Sequence, residues 1–404
     1  MPIKTKYLTS ETVSAEHTHF AAANSGYGFV SYYKEVFGSS DIKRRYIIKG
    51  GPGPGKSSFM KRVAEYAEEK GRQVEYFRCS SDPASLDGII IDGKLAMLDG
   101  TAPHTYEPHI AGACDEIVDL GQFWDSDKLY ESYNEIAALS AMKSNAYTGA
   151  YKFLSAAMNI EDENRSLASG LLLRDKMTRA VERIFRSLPL GRGFSLKHRL
   201  VNAIGMGGLA HIDSFEREAE RLYVIYDSYG LGSEFLSAVI DAAMEKQQSV
   251  CVSYEPLMPG RPDGVMLTDV GIAFVINEYP QRDGAVKINM GRFVDRNEAD
   301  GIKPRYKANE RLVAALILSA TDRLADAGEY HFRLEKIYTS CMDFEAEDGT
   351  TFEISTELMD IEVLEITDHR IEKAVILVKR PVEEEDEDEK PKLFKTESKS
   401  EIQG

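Results

Sequence analysis

Along the chain, short apolar runs alternate with stretches in which apolar residues recur at helical spacing, the pattern of an α/β protein. Arg45-Tyr46-Ile47-Ile48-Lys49 reads as a strand. After a glycine-rich break, Met60, Val63, Ala64 and Ala67 fall on one helical face, and Gly71 stands where a C-terminal cap would. Strands are predicted over 74–77, from Ile89, and over 95–98. Beyond Asp125 the spacing of Leu129, Tyr133, Ile136, Leu139, Met142, Tyr147, Tyr151, Leu154 and Met158 is mainly helical, and it is helical again over 176–188. So large a helical layer needs more sheet than these runs provide. Strands at the junctions are expected to complete it: Phe20-Ala21-Ala22-Ala23, Arg199-Leu200-Val201-Asn202-Ala203 and Val375-Ile376-Leu377-Val378.

The break after the first strand carries the chemistry. Gly50-Gly51-Pro52-Gly53-Pro54-Gly55-Lys56-Ser57 fits G-x-x-x-x-G-K-[ST] and lies between a strand and a helix, as a phosphate-binding loop requires. Glycines let backbone N–H groups turn inward around phosphate oxygens, and the helix adds its positive N-terminal end. Gly50, Gly51, Gly53, Gly55, Lys56, Ser57 and Ser58 are therefore expected to hold a nucleoside triphosphate, with Lys56 on the β- and γ-phosphates and Ser57 on Mg2+.

Sliding the chain against itself by about 177 residues exposes a repeat. Leu222-Tyr223-Val224-Ile225 answers the first strand. Ser233, Phe235, Val239, Ala243, Glu245, Lys246 and Val250 answer Ser57, Phe59, Val63, Ala67, Glu69, Lys70 and Val74. The second loop, Asp227-Ser228-Tyr229-Gly230-Leu231-Gly232-Ser233, is one residue shorter, lacks a lysine and carries a carboxylate, so it is expected to be defunct for triphosphate. Residues shared by both halves, such as Asp87 and Gly88, then read as structural, whereas residues found only beside the intact loop are functional candidates. Asp99, at the end of an apolar strand, is the candidate Mg2+ carboxylate; a strand-end turn is its alternative. Asp82 could orient water or accept a substrate proton, or serve a turn. His104 could contact the γ-phosphate, or sit on a surface loop. His17 and His19 read as structural or exposed. One arginine of the basic stretch from Arg174 to Arg199 could reach a γ-phosphate, with a solvated face as the commoner outcome.

Composition narrows the setting. A net charge of −17 argues against a nucleic-acid coat protein. Much of that charge lies in the acidic run that opens at Glu383, and residues 382–404 read as a disordered tail. No run approaches the roughly 20 apolar residues of a membrane span, no signal segment opens the chain, and a cytoplasmic protein without membrane contact is expected. Cys79, Cys114, Cys251 and Cys341 lie far apart, which suggests buried reduced thiols rather than a disulfide framework or zinc site.

The run Tyr46 to Ser58, followed by Cys79-Ser80-Ser81-Asp82-Pro83, Ser85-Leu86-Asp87-Gly88, Leu98-Asp99-Gly100-Thr101-Ala102-Pro103-His104 and Phe123-Trp124-Asp125, resembles a family of duplicated P-loop ATPase-like proteins from Firmicutes-type bacteria. The resemblance is dense over residues 17–160 and thinner to about Phe344. It implies the P-loop NTPase fold and ATP binding, and it supports Lys56, Ser57 and Asp99 in the roles above. Pro54 stands where such loops usually carry threonine. The expected organisation is an intact P-loop domain at 1–190, a degenerate repeat at 191–381 and the tail, with tandem, mainly parallel sheets flanked by helices. Three functions remain open: a slow ATPase acting as a nucleotide-dependent switch, a small-molecule kinase, or a scaffold that keeps nucleotide bound. The protein partner or small-molecule acceptor is not encoded in these residues.

Overall fold

The computed structural model describes residues 11–13, 17–276, 283–342, 353–355, 359–367 and 370–378. Two units divide the chain, Met1–Asp343 and Phe344–Gly404. In the first unit, one half runs β1 (Glu11–Val13), β2 (Thr18–Phe20), β3 (Ala22–Ser25), β4 (Gly28–Ser31), α1 (Tyr33–Phe37), β5 (Arg44–Lys49), α2 (Lys56–Glu69), β6 (Val74–Arg78), β7 (Leu86–Ile91), β8 (Leu95–Asp99), β9 (Asp115–Asp119), α3 (Ser126–Glu131), α4 (Tyr133–Ser169) and α5 (Arg174–Phe185). The other runs β10 (Leu196–His198), β11 (Asn202–Gly205), β12 (Gly208–Ile212), α6 (Ser214–Glu218), β13 (Arg221–Tyr226), α7 (Gly232–Glu245), β14 (Val250–Tyr254), β15 (Pro262–Leu267), β16 (Ile272–Ile276), β17 (Val286–Asn289) and α8 (Arg296–Ser340).

Each half builds a six-stranded mixed sheet, ordered β2-β6-β7-β8-β5-β9 and β10-β14-β15-β16-β13-β17. The orders correspond strand for strand, so the duplication read from the sequence is present in the topology. All pairings in each sheet are parallel except those made by β7 and by β15. Tyr46, Ile47 and Ile48 form an unbroken apolar run because β5 lies inside the sheet, between β8 and β9, and all three side chains are fully buried.

The junction strands differ from the expectation. Phe20 and Leu200 exchange backbone hydrogen bonds of 2.8 and 3.2 Å where the two sheet edges meet, and there each expected strand divides. Thr18–Phe20 and Leu196–His198 stay in the large sheets, whereas Ala22–Ser25 turns away into a hairpin with β4 and Asn202–Gly205 into a small sheet with β12 and β1. Val375–Val378 does not complete the second sheet, whose edge is already filled by β10. It belongs to β20 (Arg370–Val378), which pairs with β19 (Met359–Thr367), itself paired with β18 (Glu353–Ser355), inside the second unit. The acidic tail lies outside the described residues.

The helical layer consists chiefly of α4 and α8, packed through Ala150, Leu154, Ala157, Ala320 and Leu324. Ion pairs Arg305–Glu163 and Arg333–Glu135 join opposite ends of the two helices, which run antiparallel. Small residues on the buried stripe, Ala146, Ala150 and Ala157 among them, let the two backbones approach closely. Among the described residues, no helix is long and apolar enough to cross a membrane.

Candidate functional site

The glycine loop leaves β5 and enters α2 at Lys56. Gly53 and Gly55 both have φ of +79°, a left-handed conformation that an L side chain adopts only with strain. At Gly53 there is also no space: a Cβ would stand 2.7 Å from Thr339 Oγ1 and 2.8 Å from the Glu335 carbonyl, both in the last turns of α8. Trp124 lies against Gly51 and packs on Tyr338 of the same helix, with ring centroids 5.1 Å apart. A loop from the first half is thus covered by a helix from the second.

Lys56 folds back over this loop. Its Nζ donates to the carbonyls of Gly50 (2.8 Å) and Gly51 (2.7 Å) and lies 3.4 Å from Asp99 Oδ2. Asp99 reaches that position because β8 pairs with β5 in a register that sets Asp99 beside Ile48. Its other oxygen, Oδ1, accepts the Thr101 N–H (2.8 Å) and hydroxyl (2.5 Å), so the turn and the lysine contact coexist in one carboxylate. Ser57 Oγ accepts the Leu86 N–H at 3.0 Å, and Ser58 is exposed. Lys56 and Asp99 are therefore brought together, while the Ser57 hydroxyl, next in sequence, faces the start of β7 at Leu86.

The other candidates have partners of their own. Asp82 accepts the Ala84 N–H at 3.2 Å and the Ser85 hydroxyl at 2.9 Å, the bonding of a turn residue. His104 is not on the surface: it is 8% exposed, stacked on Tyr33, edge-on to Phe29, and 3.5 Å from Asp87. His19 is buried beside Glu75. In the basic stretch, Arg174 pairs with Glu234 and Arg199 makes a two-pronged pair with Glu75. Sequence reasoning missed Lys143 on α4. Burial, then the neighbouring Lys56 charge, push its pKa below the ordinary lysine value, while Glu335 opposes. It also missed the α8 turn that covers the loop. The only sequence sign of Lys143 was a cation among the apolar positions of a helix.

In the second half, Asp227 turns into its own loop. Oδ1 accepts the N–H groups of Tyr229 (3.1 Å) and Leu231 (3.0 Å), and Oδ2 accepts that of Gly232 (2.6 Å). The backbone donors at the start of α7 are thus engaged by a carboxylate of the chain itself. Comparison with protein-family models, with curated proteins and with solved structures finds no match.

Proposed function

We propose that this protein is a P-loop ATP-binding switch with one working site, in the first half, and slow hydrolysis. The observation that carries the reading is the pair of loops. One holds a lysine ammonium on its own carbonyls beside a strand-end carboxylate. The other has its N–H groups occupied by Asp227. An anion-binding loop is recognised by donors that converge on one point, and a built-in carboxylate competes with phosphate for them.

In this reading Lys56 leaves the Gly50 and Gly51 carbonyls for the β- and γ-phosphate oxygens, and Lys143 adds a second positive charge nearby. Ser57 and Asp99 would hold Mg2+, which neutralises phosphate charge when bound. On this reading Asp82, which accepts the Ala84 N–H and the Ser85 hydroxyl, is given a turn role in place of that of a kinase base. Adenine is preferred to guanine because the sequence has no guanine-recognition signature. A cytoplasmic setting without nucleic acid or membrane contact accords with the acidic composition.

The test uses the single tryptophan, Trp124, whose ring abuts Gly51. Titration of Mg-ATP and Mg-GTP is followed by its fluorescence and by calorimetry, with phosphate release in parallel. One saturable ATP site is expected, weakened about 100-fold or more in Lys56→Ala, since losing two charge-assisted hydrogen bonds costs about 3 kcal/mol. Two equivalent sites, or binding indifferent to Lys56, would refute the reading, and tight binding without release would leave a scaffold.

A further inference from the structure

Beside the loop, the first half gathers three metal-ligating side chains that the nucleotide reading does not use. Cys79 directly follows β6, Asp87 lies in β7, and His104 follows β8. Their ligand atoms all lie within 4.8 Å of one another. Asp87 and His104 are buried, at 4% and 8% exposure. His104 Nε2 stands 3.5 Å from Asp87 Oδ2, yet Asp87 Oδ2 has no hydrogen-bond partner, and neither has the buried His104 Nδ1. An imidazole and a carboxylate buried together normally settle into a hydrogen bond. Their separation instead matches the edge of a tetrahedron about an ion with bonds of about 2.0 Å, an edge of roughly 3.3 Å.

The surroundings hold the three groups in place. Tyr33 stacks on the His104 ring at 5.0 Å between centroids. The Cys79 N–H donates to the Ser85 carbonyl at 3.0 Å, and Asp82 accepts the Ser85 hydroxyl, so the connection between β6 and β7 is braced from both sides.

The second half is an internal control. The positions of Cys79 and Asp87 relative to β6 and β7 are taken there by Glu255 and Asp263. Glu255 faces Arg261 at 3.7 Å, and Asp263 Oδ2 accepts the Asn202 amide at 2.7 Å, although its Oδ1, like Asp87 Oδ2, has no hydrogen-bond partner. The same aspartate is therefore engaged by an amide in one copy and stands among a thiol and an imidazole in the other.

We propose that Cys79, Asp87 and His104 form a zinc-class transition-metal site with one sulfur, one oxygen and one nitrogen ligand and a fourth position open to water or an oxyanion. Mixed S, N and O donors with three protein ligands suit Zn2+ better than Mg2+ or Ca2+. Formation of the sulfur–metal bond releases the Cys79 proton to solvent, with Asp87 ionised and His104 neutral. The site stands independently of nucleotide binding. The spacing of the three residues gave no sign of it, because a strand reversal, not a short motif, brings them together.

The experiment takes the full chain, purified reduced without a histidine tag, stripped with chelator and titrated with Zn2+ and with Co2+. One equivalent is expected to bind, and Co2+ is expected to show a thiolate-to-metal charge-transfer band. Cys79→Ser abolishes that band and weakens Zn2+ at least tenfold, His104→Gln weakens Zn2+ likewise, and Cys251→Ser changes neither. Circular dichroism checks that each variant folds; if Cys79→Ser does not, His104→Gln with the wild-type cobalt spectrum decides. Absence of stoichiometric metal, a cobalt spectrum without thiolate character, or binding unchanged in the folded variants overturns the proposal.

Discussion

If Asp227 serves as a built-in anion for the second loop, its removal should leave a hole that an external anion can fill. Asp227→Gly deprives three backbone N–H groups, those of Tyr229, Leu231 and Gly232, of their carboxylate. Hydrogen bonds to a charged acceptor contribute about 1.5–3 kcal/mol each. The loop is only partly buried, so water replaces some of what is lost. A net cost of about 3 kcal/mol follows, including the backbone entropy of the new glycine. Sulfate at 100 times its dissociation constant should return about 2.7 kcal/mol. The assay is thermal unfolding with and without sulfate, in a Lys56→Ala background that silences the first loop, against chloride at equal ionic strength. Sulfate should stabilise the double variant and leave the Lys56→Ala parent nearly unchanged. Asp227→Asn, which keeps one acceptor oxygen, should fall between them in stability and show little rescue. If Asp227→Gly is as stable as its parent, or if sulfate stabilises both equally, the carboxylate is not filling an anion site.

Two further predictions concern the framework. Arg45 Nε donates to Asp115 Oδ1 at 2.5 Å with both side chains buried, and His109 and Ile110 add N–H donors to Oδ2. Burial alone would raise the Asp115 pKa, but Arg45 and the two amides hold it below the ordinary value. Its contribution is therefore present at neutral pH and is lost as pH falls through that lowered value. Arg45→Met should cost about 3–5 kcal/mol at pH 7, read as a lower denaturant midpoint, and an unchanged midpoint would count against the pair. The second concerns His19: burial pushes it down to about 4, with Arg199 and His17 lowering it further and Glu75 opposing. The unfolded chain takes up this proton near pH 6.5 and the folded chain near 4, so stability should fall by about 3 kcal/mol between those values and level off below. His19→Gln should flatten that interval; an unaltered pH profile of unfolding would assign the slope elsewhere.

The first sheet was largely legible because β5, β6 and β8 are short apolar runs with turn residues at their ends, and the glycine loop lies directly behind β5. The position of Asp99 at the end of β8 was legible for the same reason. The edges were not legible. Phe20 and Leu200 lie inside single apolar runs, and only the meeting of the two sheets divides each run between a strand and a hairpin. His104 was misplaced because loop position in sequence says nothing about the aromatic pocket that Tyr33 and Phe29, more than 70 residues earlier, build around it. In α4 the apolar spacing picked out Leu139 and Leu154, which are buried, but also Met142, which is 43% exposed, and it passed over the alanines that fill most of the rest of the buried stripe. Close helix packing selects small side chains, and these give a weak hydrophobic signal.

The crossing of α4 and α8 bears directly on how a one-site switch could work. α8 begins in the second half, where Tyr306 stands 3.2 Å from the space above Gly230, and it ends in the first, where Glu335 and Thr339 close on Gly53. α4 runs the opposite way and ends with Arg165 against Glu234, in the first turn of α7. Each loop is therefore covered by the far end of the other half's long helix. Thr339 donates to the Gly53 carbonyl at 3.3 Å, so a phosphate that reshapes the glycine loop must also move or hold the end of α8. In a symmetric duplicate, both helices would be driven from both loops. On the proposed reading Asp227 occupies the donors of the second loop, so a nucleotide acts on the end of α8 that Thr339 and Tyr338 tie to the first loop. If the second loop is closed to phosphate in this way, a change at Lys56 would act on one end of α8 alone, which would give the second copy a reason to keep its fold.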